Sequence, residues 1–141
     1  MPAVALDRTL VICKPDAVER GLVGEILGRF ERRGLRLVRA ELVTIDKETA
    51  AAHYAEHLGK PFYDSLIEHI TKGPVVVAVV EGPEPTWQVV RLMMGATNPA
   101  QAAPGTIRGD LAISLTENAV HGSDSAESAR REIALFFPGL Q

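Results

Sequence analysis

Pro74–Gly82 reads PVVVAVVEG, a run of β-branched residues with no charged member before Glu81. Continuous apolar character of this kind marks a strand covered on both faces, because a strand with one wet face would alternate. Such a strand needs partner strands at its edges and helices above and below, so its flanks should alternate between the two.

The flanks do so. On the N-terminal side, residues 8–13 (RTLVIC) form a short apolar run ending at KPD, a predicted strand. PDAVERGLVGEILGRFERRG follows, with Val18, Leu22 and Ile26 four apart and Val23, Leu27 and Phe30 beside them. This predicts one amphipathic helix opened by Pro15 and closed by Gly34. LRLVRAELVTI is strand-like, but its apolar phase slips between Leu37 and Val38, which predicts a bulge. Asp46 is placed to cap a helix through KETAAAHYAEHL that stops at Gly59-Lys60-Pro61, and PFYDSLIEHITK restarts as a helix with Leu66, Ile67 and Ile70 on one side.

Beyond the central run, EPTWQVVRLMMG predicts a helix with Trp87, Val90 and Met94 facing the core. Residues 95–109 (GATNPAQAAPGTIRG) are too rich in Gly and Pro for regular structure, and a loop of that length is usually functional. A brief strand within 111–121 comes next. Asp124 with Glu127 three residues on then reads as a capping box for SAESARREIALFF. The order predicts an α+β domain, single over residues 1–141, with a four-stranded sheet of the split βαβ type.

Composition narrows the function. Of 141 residues, 46% are apolar but only 5% aromatic, giving a normal-sized and mainly aliphatic core. Fifteen Lys and Arg against eighteen Asp and Glu leave a net charge of −3, which does not favour nucleic acid or anionic membranes. One cysteine, Cys13, excludes an internal disulfide and a Cys-rich zinc site, and its apolar setting predicts an inert thiol. MPAVALDRT lacks the form of a signal peptide, and no apolar run approaches the roughly 20 residues of a membrane span. A cytoplasmic location is expected.

Familiar phosphate-binding loops are missing: no G-x-x-x-x-G-K-[ST] occurs, and GLVGEILG lacks the G-x-G-x-x-G spacing. Any nucleotide must be held by side chains. HYAEH, from His53 to His57, matches a zinc-peptidase pattern that would set both imidazoles on one helix face. Three specified residues are a weak signal and no further ligand has a supporting pattern, so these histidines are expected at a pocket rim or on the surface. His121, in NAVHGSDS, precedes the last predicted helix, whose N-terminal N–H groups attract phosphate. Glu132 lies on that helix, on a face able to turn back to the imidazole. A carboxylate on one ring nitrogen would leave the other's lone pair free to attack.

KPDAVERGLVGEI, HYAEHLGKPFYDSL, GPVVVAVVEG, GATNPAQAAPGTIRGD and NAVHGSDSAESARREI, in that order from about Thr9 to Pro138, resemble the nucleoside diphosphate kinase family. The resemblance implies a ferredoxin-like sandwich with a four-stranded antiparallel sheet covered by helices. It also implies ping-pong transfer of a γ-phosphoryl group from a nucleoside triphosphate such as ATP to a diphosphate through phosphohistidine. Carried over by motif, His121 is the nucleophile, oriented by Glu132, with Ser123 supporting that carboxylate. Lys14, Tyr54, Arg91, Thr97 and Arg108 would surround the phosphates and sugar hydroxyls, with Asn118 at the sugar and His57 approaching the phosphates. Phe62 would stack on the base and Leu115 cover its other side.

No acidic pair has metal-cage spacing, so Mg²⁺ is expected to arrive on the nucleotide, held mainly by phosphates and water. A homo-oligomer is implied, hexamer first and tetramer second, with the loop bearing Pro99 at subunit contacts. The Pro-x-Pro of GPEPTW departs from the family pattern and reads as a loop variation. Two rival classes rank low. A histidine phosphatase would show R-H-G where Val120 precedes His121, and an RNA-binding sheet would show an aromatic platform that TLVICK and PVVVAVVEG lack.

Overall fold

The computed structural model describes residues 5–140, so part of the MPAVALDRT stretch lies outside the described residues. Its sheet has four antiparallel strands, β1 (Leu6–Cys13), β2 (Arg36–Val43), β3 (Val75–Pro83) and β4 (Val120–Gly122), in the order β2-β3-β1-β4. The central run is β3, buried from Val75 to Val80, as its unbroken apolar character requires. This is the split βαβ, ferredoxin-like arrangement. The bulge in β2 falls between Leu37 and Arg39, where the apolar phase slips.

Alternate residues of β1 and β3 feed two cores. On one face Val11, Cys13, Val76 and Val80 meet Ile26 and Phe30 of α2 (Val23–Arg32) and Val90 and Met94 of α5 (Thr86–Met94). On the other, Leu10, Ile12, Val77 and Val79 meet Ala50 of α3 (Lys47–His53) and Ile70 of α4 (Tyr63–Thr71), with Ile133 and Phe136 of α7 (Ala126–Phe136) packed on them. Burial of Cys13 pushes its thiol up to about 12, consistent with an inert core residue.

Several local expectations need correction. The first predicted helix is two, α1 (Pro15–Glu19) and α2, because Gly21 at φ +72° turns the chain between them. The Asp46 side chain does cap α3, accepting from Thr49 N at 2.7 Å, but α3 ends at His53, and only a 3₁₀ turn, Ala55–His57, continues it. HYAEH is therefore not one helical face. Trp87 is half-buried and lies outside both cores, which α5 reaches through Val90 and Met94. The Gly/Pro-rich loop carries a 3₁₀ turn, Pro99–Gln101, and the start of α6 (Ile107–Leu111). The last strand covers only Val120–Gly122. The cap of α7 is Ser125, accepting from Ser128 N at 3.0 Å, rather than Asp124, so no Asp124–Glu127 box forms.

Candidate active site

Strand pairing assembles the site. Ile12 lies opposite His121 and Cys13 opposite Val120, so the residues just beyond, Lys14 and Ala119, also meet, with Lys14 N donating to Ala119 O at 2.9 Å. Lys14 Nζ then reaches Asn118 Oδ1 at 2.8 Å. Ala119 has φ +72°, unusual for a residue with a side chain, and Asp16 Oδ2 accepts from its N–H at 3.0 Å. The other Asp16 oxygen pairs with His69 Nε2 at 2.9 Å. Burial alone would raise the Asp16 carboxyl, but the His69 contact and the Lys14 charge outweigh it and hold it below the usual range. Asp16 escaped the sequence reading because an acid in a first helical turn reads as ordinary helix chemistry.

Val120 belongs to the α2/α5 core, so His121, next along a strand, projects to the opposite face. There α7 carries Glu132, whose Oε1 lies 2.8 Å from His121 Nε2 and accepts from Ser123 Oγ at 2.8 Å. Glu132 is 3% exposed and Ser123 fully buried. Burial would raise the Glu132 carboxyl; the His121 hydrogen bond and charge, with smaller help from His53 and Ser123, hold it lowered. Glu132 thus stays ionised beside the imidazole and fixes Nε2 as the bonded nitrogen. Nδ1 has no hydrogen-bond partner among the described residues.

His121 opens on a cavity of about 430 Å³. Lys14, Tyr54, Phe62 and Arg91 line it, as do Thr97, Leu115, Asn118 and Glu132, all expected from the sequence. His57, half-exposed, also faces it. Phe62 and Leu115, apolar residues of the lining, are 47% and 59% exposed. Lys14 is 6% exposed; burial first, and the Arg108 cation second, lower it to about 8, with Asp16 opposing. Burial also pushes the Tyr54 phenol up, so it remains a neutral donor. A groove of about 530 Å³ beside Arg8, Glu81 and Arg130 contains none of these groups.

Arg108 and Ser123 do not line the cavity. Ser123 is buried instead beside Glu132, its hydroxyl donating to that carboxylate. Arg108 is buried, its guanidinium donating to the carbonyls of Asn118 (3.3 Å), Gly95 (3.2 Å) and Val120 (2.8 Å). Burial, then the Arg91 charge, lower it to about 10. It ties the Gly95 end of the loop to the chain before His121. Arg91 remains at the wall, one N–H on Gly122 O at 2.9 Å.

His53 is the largest surprise. Far from a rim or surface position, it is 3% exposed, with its ring 4.6 Å from those of His121 and Tyr54 and 5.5 Å from that of Phe136. Burial, followed by the nearby His121 charge, lowers it to about 3, so it is neutral at physiological pH. Nothing in HYAEH foretold this, because the packing of α3 against α7 decides it.

The nucleoside diphosphate kinase family model matches residues 7–141. A nucleoside diphosphate kinase of Thermomicrobium roseum is 61% identical over 132 residues, 94% of this chain and 88% of that protein. One from Saccharopolyspora erythraea is 59% identical over 95% of this chain and 98% of its own length. Among solved structures, a halophilic nucleoside diphosphate kinase from Halobacterium salinarum in complex with CDP superposes with a TM-score of 0.91 at 49% identity, covering 95% of this chain and 89% of that one. The Aquifex aeolicus nucleoside diphosphate kinase gives 0.92 at 40% identity, covering 96% and 97%. Neither rival class finds support among these relatives. Agreement of this extent, joined to a histidine–carboxylate pair facing a cationic cavity, places the chain in the nucleoside diphosphate kinase family, whose transfer of a phosphoryl group from a nucleoside triphosphate to a diphosphate is its activity.

Proposed function

We propose that His121 carries the phosphoryl group between two nucleotides. Its Nδ1 lone pair attacks the γ-phosphorus, a P–N bond forms, and the bond to the β,γ-bridging oxygen breaks as the diphosphate leaves with the electron pair. A second diphosphate reverses these events. The observation that carries this reading is the 2.8 Å contact of His121 Nε2 with an ionised Glu132, which keeps the ring proton away from Nδ1. Lys14 and Arg91 supply the charge that a phosphoryl transition state needs, with Arg108 adding positive potential and Tyr54 and Thr97 completing the polar lining. Asn118, held by Lys14, faces the sugar. Phe62 and Leu115 take the base between them, without reading its edges.

The carboxylates on the cavity wall suit Mg²⁺ only as a companion of the nucleotide. Among the described residues Glu56 and Asp124 form no cage, and Glu132 lies beside two histidines, a mixed donor set poorly suited to Mg²⁺. Mg²⁺ bound to phosphates and water would neutralise charge on the transferred group; the chain's own share is orientation and exclusion of solvent. Chelation should stop turnover, and Mg²⁺ alone should restore it.

The 141 residues act in this reading as one domain and assemble as a homo-oligomer, hexamer before tetramer, with Pro99 and its loop at subunit contacts. Leu42 and Leu92, 66% and 72% exposed, are apolar side chains that subunit contacts would cover. Light scattering that finds a stable monomer at micromolar concentration would contradict this. No helix among the described residues is long and apolar enough to cross a membrane, and a cytoplasmic location is proposed with the substrate class.

The test of the mechanism is incubation with γ-labelled ATP. Label should remain on the protein, be released by acid but not by base, and move to any added diphosphate. Label that survives acid and leaves in base would point to Ser123 or Ser125 and sink the histidine mechanism.

A further inference from the structure

Both ring nitrogens of His53 are buried without a hydrogen-bond partner among the described residues, a costly arrangement for a polar group. The ring sits edge-to-face with His121 and lines the same cavity. Its position is set by three separate elements, since α3 supplies His53, β4 supplies His121 and α7 supplies Glu132. Among the described residues these three form a group whose ligand atoms all lie within 4.8 Å of one another.

We propose that His53, His121 and Glu132 form a zinc trap, a site for one Zn²⁺ whose occupation excludes attack on phosphorus. Two imidazole nitrogens and one carboxylate oxygen are a Zn²⁺ donor set, and a poor one for Mg²⁺, which prefers oxygen throughout. Zn²⁺ at bonds of about 2.0–2.1 Å sets its ligand atoms roughly 3.3 Å apart. The 2.8 Å His121–Glu132 pair must open slightly and the longer separations close by on the order of 1 Å, a movement of side chains alone. The fourth position faces the cavity and remains for water.

The exclusion follows from proton bookkeeping on one ring. Ligation through His121 Nδ1 consumes the attacking lone pair directly. Ligation through Nε2 requires that nitrogen's lone pair, so the ring proton moves to Nδ1 and blocks it there instead. Either way no free lone pair remains for phosphorus. Conversely, where Nδ1 is the ligating atom, a phosphoryl group on it removes that ligand from the trap. Metal binding stands on geometry alone; only its inhibitory consequence rests on the phosphohistidine reading.

The experiment titrates Zn²⁺ into metal-free protein by calorimetry, in Mg²⁺ buffer without nucleotide. Co²⁺ follows as a spectroscopic probe of coordination. One Zn²⁺ per chain and the visible bands of four-coordinate Co²⁺ are expected. His53→Phe, which keeps the ring's volume beside Phe136, should weaken Zn²⁺ by more than about 100-fold, as loss of a direct ligand should exceed the cost of disturbing its surroundings. His57→Ala should leave the affinity unchanged, and circular dichroism checks that each variant is folded. Glu132→Gln, a second probe, should also weaken binding. Zn²⁺ should inhibit turnover of the unmodified protein, and His53→Phe, compared with its own zinc-free rate, should resist. Absence of stoichiometric Zn²⁺, affinity that survives His53→Phe, or affinity lost in His57→Ala overturns the trap. Since binding is read without nucleotide, it can fail while label transfer succeeds, and the reverse.

Discussion

Lys14 Nζ donates to Asn118 Oδ1 at 2.8 Å, joining the residue after β1 to the segment that leads into β4. The ammonium is buried, beside the Arg108 cation, and is partly compensated by Asp16. In the proposed mechanism it is a phosphate ligand whose charge depends on pH.

Lys14 is lowered from 10.5 to about 8, so the folded enzyme releases this proton before the unfolded chain does. Between about pH 8 and 10.5 the unfolded state binds more protons, and this group's contribution to stability rises with pH in that window. Nucleotide binding has the opposite sign. Phosphates favour the charged ammonium, so binding should take up a proton near pH 8 and affinity should fall as pH rises further. Calorimetry in buffers of different ionisation enthalpy should detect the uptake in the unmodified protein and find it absent in Lys14→Met.

Glu132→Gln keeps an oxygen for one partner but loses the charge facing His121. Hydrogen bonds to charged groups contribute about 1.5–3 kcal/mol, so kcat should drop roughly 10- to 100-fold with nucleotide affinity nearly unchanged. Ser123→Ala removes one donor to Glu132 and should cost about 3- to 10-fold. Single-turnover formation of the phosphoenzyme is the measurement. A rise in KM with kcat unchanged in both variants would assign Glu132 to binding rather than to orientation of the ring.

Phe62→Ala removes one stacking face from the cavity lining. Binding should weaken by on the order of 1–3 kcal/mol for adenine, guanine, cytosine and uracil nucleotides alike. Competition binding across the four would show it. An effect confined to one base would mean that Phe62 reads identity.

Arg108 and Arg91 should part company under mutation. Arg108→Ala strands the carbonyls of Gly95 and Val120, while Asn118 O keeps its bond from Val120 N, and each stranded carbonyl costs about 1–3 kcal/mol, so unfolding free energy should fall by about 2 kcal/mol or more. Arg91→Ala frees only Gly122 O and should lower nucleotide affinity with a much smaller loss of stability. Urea unfolding beside nucleotide binding separates the two. Comparable stability losses would refute the distinction.

The sequence alone determined what depends on neighbours along the chain. The unbroken run at Val75–Val80 is a strand buried on both faces because each side chain there meets a core, and the phase slip after Leu37 is a bulge because a strand's period is two. Asp46 caps its helix through a bond three residues away. The motif residues around His121 and Lys14 named the family, and most of its expected lining reached one cavity.

Tertiary structure decided the rest. Whether Asp124 or Ser125 caps α7 differs by one residue, and both types cap well, so the choice falls to how the chain leaves β4. Periodicity runs straight through Gly21, where only the turn between α1 and α2 lets both pack on one face. Arg108 carries the same charge wherever its guanidinium points; tertiary packing buried it against the carbonyls of Gly95, Asn118 and Val120. His53 looked like half of a helical pair with His57. Its real partners, His121 and Glu132, come from β4 and α7, and sheet register and helix packing, which no local pattern encodes, brought them together.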